Sequence, residues 1–303
     1  MRDIIIIGSG PAGMGAAIYG KRAGLDTLVL EGTGMSGGQV TQTYEVDNYL
    51  GLPGVNGFDM AMTFHAHTEK LGADFEMGMV TGIQKKDGYF EVTTEDNSYE
   101  TKTVILATGA SHNKLNVPGE EELAGMGVSY CATCDGAFFK GRTTMVVGGG
   151  DVAIEDAIFL ARTCEKVYLV HRRDELRGAK ILQDNLLSFP NVEIIWDSVV
   201  EKILGEEQVE KVQIYNRKTE KRTEINVDGI FIAVGIHPNT ESFTGLVETD
   251  ANGYIVAGEN CETSVGGVFV AGDTRTKELR QIITAVADGA NAVNSVQKYL
   301  MTL

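Results

Sequence analysis

Cys131 and Cys134 stand two residues apart in the stretch SYCATCDG, and Asp135 follows the second of them at once. Two thiols at this spacing clip a metal, sit inert in a core, or open and close a disulfide. A zinc site needs about four ligands, usually completed by a second CxxC or a histidine pair at a readable spacing, and the chain has neither. The two-residue loop keeps the sulfurs within bonding reach. The thiolate is the species that reacts, and a helix N-terminus or a nearby cation favours it. Reversible disulfide chemistry is therefore the expectation, with no metal. Asp135 has two readings, a turn or capping carboxylate, or the group that donates and accepts the proton as the disulfide opens. Cys164 and Cys261 stand alone and read as small hydrophobes packed in the core.

A disulfide that cycles needs a source of electrons, and the chain carries one nucleotide-binding pattern twice. The β-branched run from Ile4 to Ile7 leads into GSGPAG, Gly8 to Gly13, and then an Ala-rich stretch that reads as helix. This is the strand, tight turn and helix of a dinucleotide fold. Gly8 allows the turn, Gly10 lets the backbone approach a pyrophosphate, and Gly13 permits close packing of helix on strand. The next strand, TLVLE, ends in Glu31, whose carboxylate is placed to accept bonds from ribose hydroxyls. The second copy runs through Met145–Val147 into Gly148, Gly150 and Ala153, and its helix puts Ile154, Ala157, Ile158 and Ala161 on one face.

The two copies are in register, with 23 residues from Gly8 to Glu31 and 23 from Gly148 to His171. What differs is the end of the second strand. Where the first copy has a carboxylate, the second has His171, Arg172, Arg173 and, one helical turn further, Arg177. A carboxylate repels a 2′-phosphate, whereas a guanidinium fork binds one. The first site suits a nucleotide with free ribose hydroxyls, such as the adenosine of FAD, and the second suits NADP.

The elements that must position these residues follow from the rest of the chain. Val104–Ala110 and Ile230–Gly235 each read as a strand ending in a glycine turn that would close its own domain. The segment from Gly266 onward reads as a buried strand, a GD turn and an amphipathic helix carrying Ile282, Ala285, Val286 and Val293, which completes a nucleotide domain. Residues from Lys85 and from Glu206 alternate apolar and polar around turns, as antiparallel strands do. The expected fold is α/β: two Rossmann-like dinucleotide-binding domains, the second inserted into the first, with antiparallel β segments. Residues 1–112 and 241–303 form the first domain and 113–240 the second, which carries the CxxC. The chain crosses between them near SHNKLNVPG and HPNTESF, and paired linkers permit hinge rotation.

Composition narrows the partners. The formal charge of −16, from 42 acidic against 26 basic residues, disfavours nucleic acid and anionic membrane surfaces. Four cysteines in 303 residues are too few for a secreted disulfide framework. No stretch reads as a signal peptide or a membrane span, so the expected location is cytoplasmic.

Taken in order, GSGPAG, GGQ (Gly37–Gln39), EVDNY (from Glu45), ATGA (from Ala107), CATCD, GGGDVA, HRRDELR, GVFVAGD and the Arg280–Gln281 pair resemble the low-molecular-weight thioredoxin reductases from end to end. The resemblance implies FAD in the first domain, near Gly8, Ser9, Gly10, Pro11, Ala12, Gly13, Glu31, Gly32, Gly38, Gln39, Val40, Asn48, Val80, Ala107, Thr108, Gly109, Asp273, Arg280, Gln281 and Ile282. Asp273 would bond the ribityl chain. It implies NADPH in the second domain, near Gly148, Gly150, Asp151, Val152, Ala153, His171, Arg172, Arg173, Arg177 and Gly235.

It also implies roles for the redox residues. Cys134 lies beside the flavin, Cys131 attacks the disulfide of thioredoxin or a thioredoxin-like protein, and Asp135 is the acid. Hydride passes from NADPH to FAD, then electrons to the cysteine pair, one domain rotating against the other, in a homodimer. Two positions depart from the pattern. Val152 replaces a Ser or Thr whose hydroxyl could bond a phosphate, which puts NADPH affinity in question, and Gly266 replaces a proline. The full HRRDELR run argues against a relative fed by another donor such as ferredoxin, and against a dithiol oxidase of the same fold that passes electrons to oxygen.

Overall fold

The computed structural model describes residues 1–43 and 45–303, the side chain of Gln42 excepted. The chain forms two compact units. The first comprises Met1–Thr43, Tyr49–Ser111 and His237–Leu303, and the second His112–Ile236 together with the short stretch 45–48.

In the first unit the chain runs through β1 (Arg2–Ile7), α1 (Pro11–Arg22), β2 (Thr27–Glu31), α2 (Gly57–Lys70), β3 (Asp74–Met77), β4 (Val80–Lys85), β5 (Phe90–Thr94), β6 (Ser98–Leu106) and β7 (Ala110–His112). The isoleucine run becomes a central strand because both of its faces are covered. Ile4 and Ile6 enter one apolar cluster and Ile5 and Ile7 another, the two-residue alternation of a strand buried on both sides. β1 pairs parallel with β2 and with β6, and β2 with β3. The alternating stretch from Lys85 forms β5 and the start of β6, which pair antiparallel, and β4 just before it pairs antiparallel with β5.

The second unit contains β8 (Val128–Ser129), α3 (Ala132–Asp135), β9 (Thr143–Gly148), α4 (Asp151–Ala161), β10 (Lys166–Val170), α5 (Lys180–Leu187), β11 (Val192–Ile195), β12 (Ser198–Leu204), β13 (Lys211–Asn216), β14 (Arg222–Asn226) and β15 (Gly229–Ala233). Its main sheet has the order β11-β10-β9-β15-β8 and every pairing in it is parallel. β12, β13 and β14 form a separate antiparallel sheet, of which the alternation from Glu206 covers β13 and β14. α4 buries Ile154, Ala157, Ile158 and Ala161, the face read from the sequence, with Ala153 and Leu160 beside them.

The chain returns through β16 (Ile236–Pro238), which pairs with β7, and ends with β17 (Val268–Val270) and α6 (Ile282–Leu300). β17 joins the first sheet parallel to β6, so the C-terminal segment completes the first unit. The two strands expected to close their domains are interior ones: β6 lies directly beside β1, and β15 between β9 and β8. A parallel crossover right beside the first strand satisfies both faces with the helices already present.

Helix α6 holds a feature that its apolar pattern hides. Asp288 lies on its buried face, and one carboxylate oxygen accepts from Gly272 N, Arg275 Nε (2.9 Å) and Lys277 Nζ (2.8 Å), while the other accepts from Arg275 Nη2 (2.7 Å). Arg275 continues to the carbonyls of Ala257 and Thr276. Burial alone would raise the Asp288 pKa, but these cations and their hydrogen bonds hold it below the usual carboxylate range. The cluster ties the turn after β17 onto α6. Asp288→Ala would leave two buried cations without a counter-charge and is expected to cost about 3–5 kcal/mol, read as a lower midpoint in urea unfolding. Asp184→Ala, which breaks the exposed Lys180–Asp184 pair, is expected to leave the midpoint nearly unchanged.

Candidate functional site

Parallel strands deliver their C-terminal ends to one edge, and in each unit the candidate residues collect there. In the first unit the registers Ile7↔Leu30, Ile7↔Leu106 and Val270↔Leu106 align the exits to Gly8, to Glu31, to Ala107–Gly109 and to Asp273. A crevice outside the carboxyl ends of such strands is where α/β sheets bind ligands.

The turn after β1 is as tight as the glycine pattern demands. Gly8 has φ +102°, and a Cβ there would lie 2.5 Å from the Ala107 carbonyl oxygen. A Cβ at Gly13 would lie 1.9 Å from the Gly8 carbonyl oxygen. Gly10 caps α1 and nothing lies within 4 Å of where its Cβ would point. Pro11 opens the helix, Ala12 is buried beneath it, and the first backbone N–H groups of α1 are left for an anion. Thr108 bonds the Asn239 carbonyl, and Gly109 has φ +69° with open space beside it.

Glu31 is more engaged than the sequence suggests. One carboxylate oxygen accepts from Ser9 N (3.0 Å) and Ser9 Oγ (2.5 Å), the other from Thr33 N and Thr33 Oγ1 (both 2.6 Å). Burial pushes its pKa up, but these bonds outweigh it and keep Glu31 ionised. Ser9 and Thr33 thus fix the carboxylate at the end of β2. Beside it, Gly32 packs against Met79, and Val80 is buried at the start of β4.

Farther along the edge, Gly38, Gln39 and Val40 form a 3-10 turn in which Gln39 Nε2 donates to the Ala110 carbonyl. Asp273 follows β17. Its Oδ1 is buried and, among the described residues, has no partner. Burial raises its pKa, opposed in part by Lys277 and Arg280, and Arg280 Nε reaches the Asp273 carbonyl at 3.4 Å while its guanidinium lies over Tyr254. Gln281 and Ile282 begin α6. An orphaned buried acceptor beside an open glycine turn fits a polyhydroxylated dinucleotide such as FAD, whose hydroxyls can donate to it. Asn48, expected near the same cofactor, lies in the stretch 45–48, which groups with the second unit.

The second edge repeats the arrangement. A Cβ at Gly148 (φ +156°) would meet the Ala233 carbonyl oxygen at 2.5 Å, the counterpart of Gly8 against Ala107, and Gly150 faces open space. Ala153 stands buried in the third position. Asp151 opens α4 and accepts from Ala179 N at 2.7 Å, and Val152 is 63% exposed on the first turn. Gly235 has φ +114°.

Two details of the basic cluster correct the sequence reading. His171 is 4% exposed, packed so closely on Gly149 that a Cβ there would lie 2.2 Å from its Nδ1. Burial pushes its pKa down, so it is a neutral support under the glycine turn and not a fourth cation. Arg177 is not one helical turn on: residues 171–179 are irregular, and Arg177 N–H returns to the Gly149 carbonyl at 2.7 Å. A buried His171 requires the chain to bend back over the turn. Arg172, Arg173 and Arg177 are exposed, and among the described residues none of them forms an ion pair in a chain of net charge −16. Three free guanidinium groups beside an open helix N-terminus are suited to a phosphate.

The cysteine pair leaves this same edge, since Ser129 of β8 pairs with Phe231 of β15. Cys131 and Cys134 are disulfide-bonded, with Cα atoms 5.3 Å apart. The pair closes a single turn in which Cys134 N and Asp135 N donate to the Cys131 carbonyl. Ala132, fully buried, joins the cluster under α4, and a Cβ at Gly136 would lie 3.0 Å from Leu160 and Phe159, so the turn is pressed onto that helix. Cys164 and Cys261 are reduced and buried, burial raising both thiol pKa values, that of Cys261 to about 12, which makes them inert. Among the described residues no cluster could hold a metal.

Asp135 Oδ2 accepts from Ser129 Oγ at 2.5 Å, and Oδ1 is buried without a partner among the described residues. Burial raises its pKa, against the opposing Ser129 bond, so the acid form is favoured beside the disulfide. Ser129 carries no motif signal and the sequence reading passes over it.

The family model for pyridine nucleotide-disulphide oxidoreductases matches residues 2–289, and the chain belongs to that family. It is 45% identical over 302 residues to a thioredoxin reductase of Listeria innocua, covering 99% of this chain and 94% of that one. It is 43% identical to the thioredoxin reductase of Bacillus subtilis, covering 99% and 95%. The solved thioredoxin reductase of Streptococcus pyogenes superposes with a TM-score of 0.96 at 47% identity, covering 100% of this chain and 99% of that one.

Because the folded-state pKa of Asp135 lies above its unfolded value, the folded state binds the extra proton and loses stability as pH rises from about 4. Relative to Asp135→Asn, the native chain is therefore expected to become progressively less stable with rising pH until the folded-state pKa is passed. Urea unfolding of both proteins from pH 4 to 9 measures this. A difference independent of pH would mean that the carboxyl is not held protonated by burial.

Proposed function

We propose that the chain is an NADPH-dependent thioredoxin-disulfide reductase that holds FAD in its first unit and cycles the Cys131–Cys134 disulfide. The observation that carries the proposal is a bonded cysteine pair with a buried, partner-free acid oxygen, leaving the same sheet edge as a glycine turn and three unpaired arginines. Bound flavin would supply the two-electron relay between a hydride donor and a disulfide.

The chain's own residues do the rest. The open turn at Gly10 and the N-terminus of α1 hold the FAD pyrophosphate, Glu31 the adenosine ribose, and Asp273 a hydroxyl of the ribityl chain. Gly148, Gly150 and the start of α4 hold the NADPH pyrophosphate, with Arg172, Arg173 and Arg177 on the 2′-phosphate. Val152 offers no hydroxyl there, so the phosphate depends on the backbone and the arginines. Asp135 moves the proton as the disulfide opens, and Cys131 exchanges with the disulfide of thioredoxin or a thioredoxin-like protein through a mixed disulfide. The free arginines weigh against an oxidase that needs no NADPH. The working form is a homodimer, as the resemblance implies, and its location is cytoplasmic, as the sequence suggests. No helix among the described residues is long and apolar enough to cross a membrane.

Cys134→Ser is expected to keep NADPH-driven bleaching of the flavin absorbance under anaerobic conditions while abolishing thioredoxin reduction. Retained turnover with thioredoxin would remove the pair from the reaction. Replacing Arg172 and Arg173 by Ala is expected to weaken NADPH by about 1.5 kcal/mol or more, roughly tenfold, with little change for NADH. Equal losses for both nucleotides, measured by titrating flavin reduction, would show that the cluster does not touch the 2′-phosphate.

A further inference from the structure

We propose that Ser129 is the positioning residue for the Asp135 acid: its one hydroxyl locks a carboxyl oxygen to the backbone of Cys131 and so assigns the exchanged proton to the other carboxyl oxygen. The inference rests on the reading of Asp135 as the acid of thiol–disulfide exchange and goes beyond it by naming the atom that carries the proton and the residue that selects it.

Ser129 is the last residue of β8 and 6% exposed, paired in register with Phe231, so its oxygen is anchored to the sheet. Its Oγ lies 2.5 Å from Asp135 Oδ2 and accepts the Cys131 N–H at 3.1 Å. The backbone N–H can only donate, so the hydroxyl proton is directed to Oδ2, and a 3.4 Å approach to the Cys131 carbonyl does not compete. Oδ2 is then an acceptor in both protonation states. In the neutral acid it is the carbonyl-type oxygen, and the proton sits on Oδ1, the oxygen left without a partner. The same hydroxyl fixes the first residue of the cysteine turn and the carboxyl at its end.

The step balances on this geometry. When the disulfide accepts two electrons from the reductase reaction, its S–S bond breaks. Cys131 becomes the thiolate and Cys134 takes the proton from Oδ1, leaving Asp135 a carboxylate that Ser129 still bonds and solvent reprotonates. The Cys131 thiolate attacks the substrate disulfide and releases one substrate thiolate. Cys134 then loses its proton through Asp135 to that thiolate and closes the S–S bond again, releasing the second substrate sulfur.

Other groups could shape a pH profile here. The pair's own turn holds only Cys131 and Cys134, and the following 3-10 turn, Gly136–Phe139, has no titratable side chain. Helix α4, packed against α3, carries Asp151, Glu155 and Asp156, the last raised by burial and by Glu155 to about 7. Tyr130, next to Ser129, is bonded to Glu120 and its pKa is pushed up by burial, which keeps it neutral.

The test is the pH dependence of thioredoxin-disulfide turnover in the FAD-loaded protein. Ser129→Ala is expected to lower turnover about tenfold or more, the equivalent of one hydrogen bond to a charged group, and to move the Asp135 limb about one pH unit upward. Ser129→Thr should restore both. In the Asp135→Asn background Ser129→Ala should cause no further loss, whereas a merely structural role would add its own loss. Asp156→Asn should leave the limb in place.

An unmoved limb in Ser129→Ala, an additive loss in the double variant, or a limb that follows Asp156→Asn overturns the positioning role. Should Ser129→Ala fail to retain flavin, Ser129→Gly is read in the same way. Asp135→Asn turning over at the native rate across the pH range would overturn the acid reading itself. Loss in Asp135→Asn with none in Ser129→Ala would overturn only the present proposal.

Discussion

The structure depends on how closely the end of a strand approaches the first turn of the helix that follows it. At Gly8 and Gly13, and again at Gly148, the backbone comes so near that a single added carbon would overlap a carbonyl oxygen. That approach turns the helix N-terminus toward the carboxyl edge of the sheet, where its unpaired N–H groups are available to an anion. Because the neighbouring strands are parallel, their ends open on the same edge. Glu31, Ala107 and Asp273 gather in one unit, and His171, Gly235 and the cysteine pair in the other.

Four buried or half-buried carboxyl groups show how one side-chain chemistry serves different ends through its surroundings. Glu31 and Asp288 stay ionised, the first through four hydrogen bonds and the second through two cations. Asp135 and Asp273 each keep one buried oxygen without a partner, and burial favours their neutral forms. Desolvation acts on all of them, and the number and charge of the donors decide the outcome. The two with a bare oxygen, Asp135 and Asp273, each stand near the carboxyl edge of their own sheet. Asp288 serves the second of them indirectly, since its cluster holds Gly272, the residue before Asp273.

Much of this was legible in the residues alone. The repeated glycine patterns, the α/β class and the CxxC rest on local rules: turn sterics, strand alternation and the reach of a two-residue loop. The resemblance to one reductase family rested on the order of those motifs along the chain. Local rules misplaced what depends on burial. His171 adjoins two arginines in the chain, but its packing on Gly149 buries it and favours the neutral ring. Asp288 carries no signal in the sequence, and only the turn bearing Arg275 and Lys277, folded onto α6, gives it its partners.

By itself, then, the sequence determined the class of fold, the two nucleotide preferences and the pair of sulfurs, because each is a property of neighbours along the chain. Tertiary structure decided which carboxyl groups favour the charged form, which carboxyl oxygen is bare, and that a serine in a two-residue strand touches both Asp135 and the first cysteine. These depend on desolvation and on donors brought from distant strands, and neither quantity has a value until the sheet has formed.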